Sequence, residues 1–191
     1  MNPILLDIPL RIETDRLILR APHQAGDGDV VFHAIKDSFH ELKQWLSLFQ
    51  TIPTVDEIEI ILRNAHIDFL KRESFRYLIF HKETKEFIGT ASLHGINWKI
   101  AKGEIGYWIN TTYTGNGYMT EAVRALINHG FQQLKFSRIG IRCESTNVKS
   151  RSIPEKLGFK LEGTLRNDDL SADGSRLTDI CIYSIIKENH P

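Results

Sequence analysis

This 191-residue chain has no excess of either charge: 24 lysines and arginines balance 24 aspartates and glutamates, for a formal net charge of zero. That balance excludes a partner held by bulk charge, so neither nucleic acid nor a membrane surface is expected. Cysteine is scarce, with only Cys143 and Cys181. A disulfide scaffold is excluded, and both thiols are expected as reduced core residues on strands of a cytoplasmic protein. No long apolar run and no basic stretch near the start is present, so neither a membrane span nor a secretory leader is expected. The histidines never take a metal-binding spacing such as His-Glu-x-x-His, so no metal is expected. His81, His94 and His129 read as surface or satisfied structural residues. Repeats, low-complexity tracts and linkers are lacking too, and residues 1–191 read as a single domain able to bury a good core.

What is present alternates between strand and helix patterns. Residues 16–20 read as an edge-type first strand, with Leu17 and Leu19 on one face, and Pro22 stops it. Asp27 or Asp29 is placed to cap a helix carrying Val30, Val31, Ala34 and Ile35. A second amphipathic piece holds Leu42, Trp45, Leu46 and Phe49, and Pro53 breaks it. Thr54 and Glu57 form a capping box ahead of Ile58, Ile61, Leu62, Ala65 and Phe69 at helical spacing. Residues 76–81 and 87–93 read as a hairpin, and 96–102 as a loop around Trp98. After the central segment described next come strands at 138–143, 160–166 and 178–186. The expected architecture is α/β: one mixed seven-stranded sheet flanked by about four helices.

The chain is organised around residues 104–134. Residues 104–110 alternate as a strand. Thr114, Gly115, Asn116, Gly117, Tyr118 and Met119 follow, and Val123, Ile127, Phe131 and Leu134 then recur at helical spacing. Two glycines between strand and helix allow close approach of a ligand to the backbone. The free N–H groups of the first helical turn make an anion site. A phosphate is expected there, against the simpler reading of a tight connector that binds nothing. The third glycine of a dinucleotide fingerprint is absent, since Thr120 occupies its place, and so is the Lys-Ser/Thr end of a P-loop.

A second string, Asn147-x-x-Ser150 leading into Glu155-Lys156-Leu157-Gly158-Phe159 after a short strand, makes the pattern specific. With residues 104–109 and 115–122, it resembles the GNAT superfamily of acetyl-CoA-dependent N-acetyltransferases. The chain is most similar to the Rim-type branch, whose best-known members acetylate the N-termini of ribosomal proteins. The resemblance runs from residues 13–20 to Tyr183. It implies the GNAT fold, a mostly antiparallel sheet whose fourth and fifth strands are parallel and splayed. It also implies acetyl-CoA as the acyl donor, CoA as product, and a homodimer, for which residues 178–186 offer apolar surface. The family's Gln/Arg-x-x-Gly-x-Gly/Ala slots hold Thr114, Gly117 and Met119 here, so the backbone donors survive and one side-chain contact is lost. Pro154 implies a short or kinked helix after Asn147.

The resemblance further implies that pyrophosphate sits on the N–H groups from Gly115 to Thr120, and that pantetheine pairs with the strand ending Trp108, Ile109 and Asn110. Ser150 fills the serine slot that donates to the departing sulfur; helix capping by Ser150 or Ser152 is the alternative. Asp169 falls where the Rim-type enzymes place a glutamate base, and Glu104 on the central strand is the other candidate. Trp45, Trp98 and Trp108 are expected mainly in the core, with Trp45 and Trp98 also placed to line an acceptor cleft. The implied activity is acetyl transfer to a primary amine, with a protein N-terminus favoured, by direct attack in a ternary complex. The alternatives are a small-amine acetyltransferase (polyamine, amino sugar or drug) and a non-catalytic acyl-CoA sensor.

Overall fold

The computed structural model describes residues 2–189. Strands β1 (Arg11–Glu13) and β2 (Leu17–Arg20) are followed by helices α1 (Gly28–Asp37), α2 (Phe39–Leu42) and α3 (Val55–Lys71). Then come β3 (Phe75–His81), β4 (Phe87–Asn97), β5 (Lys102–Ile109) and α4 (Tyr118–Gln132). The chain finishes with β6 (Arg138–Glu144), α5 (Val148–Lys156), β7 (Lys160–Leu170) and β8 (Leu177–Ile186). The strands form one sheet in the order β1-β2-β3-β4-β5-β6-β8-β7. Only β5 and β6 pair in parallel, because α4 carries the chain back across the sheet between them.

Eight strands replace the expected seven. The extra one, β1, is only three residues long and makes a hairpin with β2 through Arg11↔Arg20 and Glu13↔Ile18. The expected second helical piece is broken into the single turn α2 and a 3-10 turn at Ser47–Phe49, and the described α-helices number five. The loop around Trp98 shrinks to a tight turn, because β4 runs on to Asn97 and β5 starts at Lys102. Strand β8 lies between β6 and β7 with Ile180, Cys181, Tyr183 and Ile185 buried, so it cannot supply the apolar dimer contact expected of it. Leu161, Leu165 and Leu170 stand exposed on the edge strand β7, and Leu177 at the start of β8.

Helix α3 begins with the capping box. Thr54 Oγ1 accepts from Glu57 N at 3.2 Å, and Thr54 N donates to Glu57 Oε2 at 2.7 Å. Asp27 stands at the α1 N-cap but makes no capping bond. Its buried carboxylate instead takes Arg20 Nη1 at 2.9 Å and His23 N at 2.6 Å.

Two apolar layers sandwich the sheet. On one face α4 buries Val123, Leu126, Ile127 and Phe131 against Tyr77, Leu93, Ile105 and Ile139. On the other, α1 and α3 bury Val31, Ile35, Ile58 and Leu62 against Leu78 and Phe87. Each such side chain stabilises the fold by roughly 1.5–3 kcal/mol. Gly130 lets α4 approach the sheet closely, since a Cβ there would meet Ile139 Cδ1 at 2.7 Å. No helix among the described residues is long and apolar enough to cross a membrane.

Candidate active site

The parallel pairing of β5 and β6 stops after Lys102↔Arg138, Gly103↔Ile139 and Glu104↔Gly140. Beyond it the strands diverge and open a cleft of about 650 Å³. Tyr107, Trp108 and Ile109 line one wall, Ile141, Arg142 and Cys143 the other. The turn before α4 closes one end, α5 flanks one side, and Trp45 and Leu46 flank the opposite side.

The turn meets the requirements of an anion site. Gly115 and Gly117 have φ of 84° and 77°, the left-handed region that glycine alone enters freely. Gly117 is the α4 N-cap and makes no side-chain cap, so the first helical N–H groups lack an intrahelical partner. Nothing lies within 4 Å of a Cβ built on Gly115. Asn116 Nδ2 donates to Tyr113 O at 3.1 Å, and the Thr114 hydroxyl donates to Thr111 O, so these side chains brace the loop. Met119 is buried in the core at 5% exposure and also lines the cleft. Tyr118 and Thr120 line the cleft beside it.

Arg16, just before β2, braces this turn in an ion pair with Glu121. Its Nη1 donates to Asn116 O at 3.1 Å, its Nε to Glu121 Oε2 at 2.7 Å, and its guanidinium lies 4.5 Å from the Tyr118 ring centroid. Sequence reasoning used this arginine only as part of the resemblance; its position beside the turn depends on the sheet and α4 together.

At α5, Asn147 caps the helix, its Oδ1 accepting from Ser150 N at 3.0 Å. Helix capping therefore falls to Asn147, and the Ser150 hydroxyl faces Tyr107, with Oγ 3.4 Å from the Tyr107 hydroxyl. Tyr107 in turn donates to Ser150 O at 2.8 Å. Burial pushes the Tyr107 phenol above its ordinary value, with the Ser150 contact opposing, so it stays protonated. Tyr107 was missed in the sequence because alternation marked it only as a strand residue. Cys143 also lines the cleft, half-buried where a core position was expected, opposite Cys181 on β8. Burial pushes the Cys143 thiol up to about 11, so it is not poised as a nucleophile.

The remaining expected residues lie apart from the cleft wall. Asn110 is buried at the end of β5, its Oδ1 accepting from Thr112 N at 3.1 Å. Trp98 packs against Phe75 and Phe136 and donates to Arg72 O, away from the cleft that Trp45 lines. Asp169 is exposed on β7, and its carboxylate takes its neighbour's N–H, from Leu170, at 2.8 Å. The adjacent Asp168 accepts from Arg142 Nη2 at 2.6 Å, and Arg142 is a cleft residue. Glu104 is half-buried at the point where the strands part, with His94 as its cross-strand neighbour.

This geometry agrees with the relationships of the chain. The acetyltransferase (GNAT) domain family matches residues 16–160. N-acetyltransferase YoaA of Bacillus subtilis strain 168 is 30% identical over 92% of this chain and 96% of its own length. A ribosomal-protein-serine acetyltransferase of Escherichia coli K12 is 32% identical over 58% of this chain and 59% of its own. The solved structure of a ribosomal-protein α-N-acetyltransferase, RimL, in complex with coenzyme A superposes with a TM-score of 0.84 at 23% identity, covering 94% and 97% of the two chains. The chain belongs to the GNAT family of N-acetyltransferases, and its resemblance lies with the Rim-type branch.

Proposed function

We propose that the protein transfers the acetyl group of acetyl-CoA to a primary amine, and that the acceptor is the N-terminal α-amine of a protein. The observation that carries this reading is the cleft itself: an anion-binding helix start at one end and a Ser150–Tyr107 hydroxyl pair on its walls. The named activity of the E. coli relative supports a protein acceptor, and with it a cytoplasmic setting.

Acetyl-CoA brings an activated thioester and an anionic handle, and the residues present fit both. Backbone N–H groups from Gly115 to Thr120 would hold the pyrophosphate, each contact contributing roughly 0.3–1 kcal/mol where exposed. Arg16, ion-paired with Glu121 beside the turn, stands near the slot that Thr114 fills in place of the family's Gln/Arg. The backbone at Trp108 and Ile109 would hold the pantetheine amides as an added strand. A strand N–H there would polarise the thioester carbonyl. Ser150, oriented by Asn147 and Tyr107, would protonate the departing thiolate. The base is a carboxylate or a group it governs. Of Glu104 and Asp169, Glu104 stands on the strand that lines the cleft.

A panel of peptides with free N-termini, polyamines, amino sugars and amine drugs, read by release of free CoA thiol, tests this reading. Turnover with peptides supports it. Turnover confined to a small amine moves the acceptor, and acetyl-CoA binding without turnover leaves an acyl-CoA sensor.

A further inference from the structure

His94 was expected as a surface or satisfied residue, and it stands between the two. It is half-buried on β4, and neither ring nitrogen makes a hydrogen bond among the described residues. Neither nitrogen is fully buried, because the only fully buried side-chain nitrogen or oxygen lacking a partner among those residues is Arg72 Nε. Its backbone pairs directly with Glu104 across β4 and β5. Side chains of directly paired residues share a face, here the face opposite α4.

Gly106 makes the arrangement specific. It follows Glu104 on the same face and lines the cleft. A Cβ at Gly106 would come within 2.9 Å of His94 Nε2, so the imidazole tip occupies the space that any other residue's side chain would take. Glu104 stops short of the cleft wall, and its Cγ lies 3.4 Å from a Cβ built on Gly140, where β5 and β6 make their last pair. The imidazole tip therefore stands beside Gly106, a residue of the cleft wall.

We propose that His94 takes the proton from the acceptor amine, and that Glu104, its cross-strand neighbour, stabilises the protonated imidazole. The proposal rests on the acetyltransferase reading above. An α-ammonium must lose one proton before its nitrogen can attack. Neutral His94 accepts that proton and later releases it to water. As the C–N bond forms and the C–S bond breaks, the nitrogen's second proton is lost and the sulfur gains one by way of Ser150. Overall, ammonium and thioester become amide, thiol and one released proton.

The charged groups facing His94 are Glu104 on β5 and Arg76 on β3, and Arg138 on β6 acts on Glu104. Burial holds the imidazole below its ordinary value, Glu104 pulls it up and Arg76 pushes it down. A neutral imidazole at neutral pH suits a proton acceptor.

The test is the pH–rate profile of kcat/KM for the wild type and for His94→Gln, His94→Ala, Glu104→Gln and Arg76→Gln, using the fastest amine of the panel. Acetyl-CoA affinity is measured in parallel by calorimetry. His94→Gln should lose about 10²-fold in kcat, lose the acidic limb and keep its acetyl-CoA affinity. Added imidazole should restore part of the rate to His94→Ala. The acidic limb should move to lower pH in Glu104→Gln and to higher pH in Arg76→Gln. An unchanged rate and limb in His94→Gln overturns the proposal. So does a rate loss that keeps the limb and resists imidazole, since that marks a structural role. In either case acetyl transfer by the wild type still stands. A wild type that releases CoA with no amine overturns the proposed function instead, and the proton-acceptor role falls with it.

Discussion

The Tyr107 hydroxyl on β5 donates to the backbone carbonyl of Ser150 on α5 at 2.8 Å, and the Ser150 hydroxyl returns towards it at 3.4 Å. This contact joins the strand expected to hold pantetheine to the helix expected to supply the acid. Ser150→Ala should lower kcat by about 10²-fold while leaving acetyl-CoA affinity nearly intact. Tyr107→Phe should cost about 0.5–1.5 kcal/mol of stability and lower kcat less than Ser150→Ala. Steady-state kinetics with calorimetry on both variants checks the ranking. Equal turnover in Ser150→Ala and the wild type would remove Ser150 from the chemistry.

Gly117 combines a φ of 77° with an unobstructed approach, its nearest neighbour being Arg16 Nη2 at 3.6 Å from a built Cβ. Gly117→Asp introduces a side chain that rarely adopts this φ and a carboxylate that would pair with Arg16. Acetyl-CoA binding should weaken at least about tenfold, roughly 1.4 kcal/mol, in a variant whose circular dichroism shows a folded chain. Undiminished affinity would place the pyrophosphate elsewhere.

His129 on α4 is buried beside Tyr77, with Nε2 3.4 Å from the phenol, and burial holds its imidazole down to about 4. Between that value and the unfolded value of about 6.5, the unfolded chain binds more protons than the folded one. Stability should therefore be full above the unfolded value and fall as pH drops towards 4. Denaturant unfolding at a series of pH values should show this loss, and His129→Gln should flatten it. A wild-type curve that is flat across this window would contradict the burial argument.

Cys143 and Cys181 face each other across β6 and β8, and Cys143 alone lines the cleft. With its thiol held protonated, direct attack by the amine is expected. Replacing both cysteines by alanine should spare turnover at some cost in stability. Mass spectrometry after exposure to acetyl-CoA alone should show no acetyl adduct that moves to added amine. Such an adduct would establish a two-step route.

We expect a homodimer formed through β7 rather than β8. Leu161, Leu165 and Leu170 are 44%, 43% and 57% exposed on that edge strand. Leu165→Lys should convert dimer to monomer in sedimentation at micromolar concentration. A wild type that sediments only as monomer rejects the interface.

The central strand, turn and helix were legible in sequence because local signals coincide there: alternation, two glycines, then a helical repeat. The Thr54 capping box was legible for the same reason. The setting of the two candidate bases, Asp169 and Glu104, was not. Asp169 came from the Rim-type resemblance, and the register shifts between Leu165 and Asp169, where Asn167 takes a φ of 53°. A one-residue slip exchanges the faces of a strand, and here Asp168 reaches Arg142 instead. Strand β1 is too short to show alternation. Tyr107 and His94 carry ordinary strand patterns, and only the pairing of β4 with β5 and the approach of α5 give them neighbours that matter.

The three pairs that join β5 to β6 act as a hinge between two plates of one sheet. The facing edges, residues 105–109 and 141–144, each hydrogen-bond to a neighbour on the outer side only, β4 for one and β8 for the other. Amide protons pointing into the gap should therefore exchange with solvent far faster than those pointing away from it along the same strands. An extended chain laid between the plates would bring both sets to the same slow rate, so hydrogen exchange reads occupancy of the cleft strand by strand, without any assay of turnover.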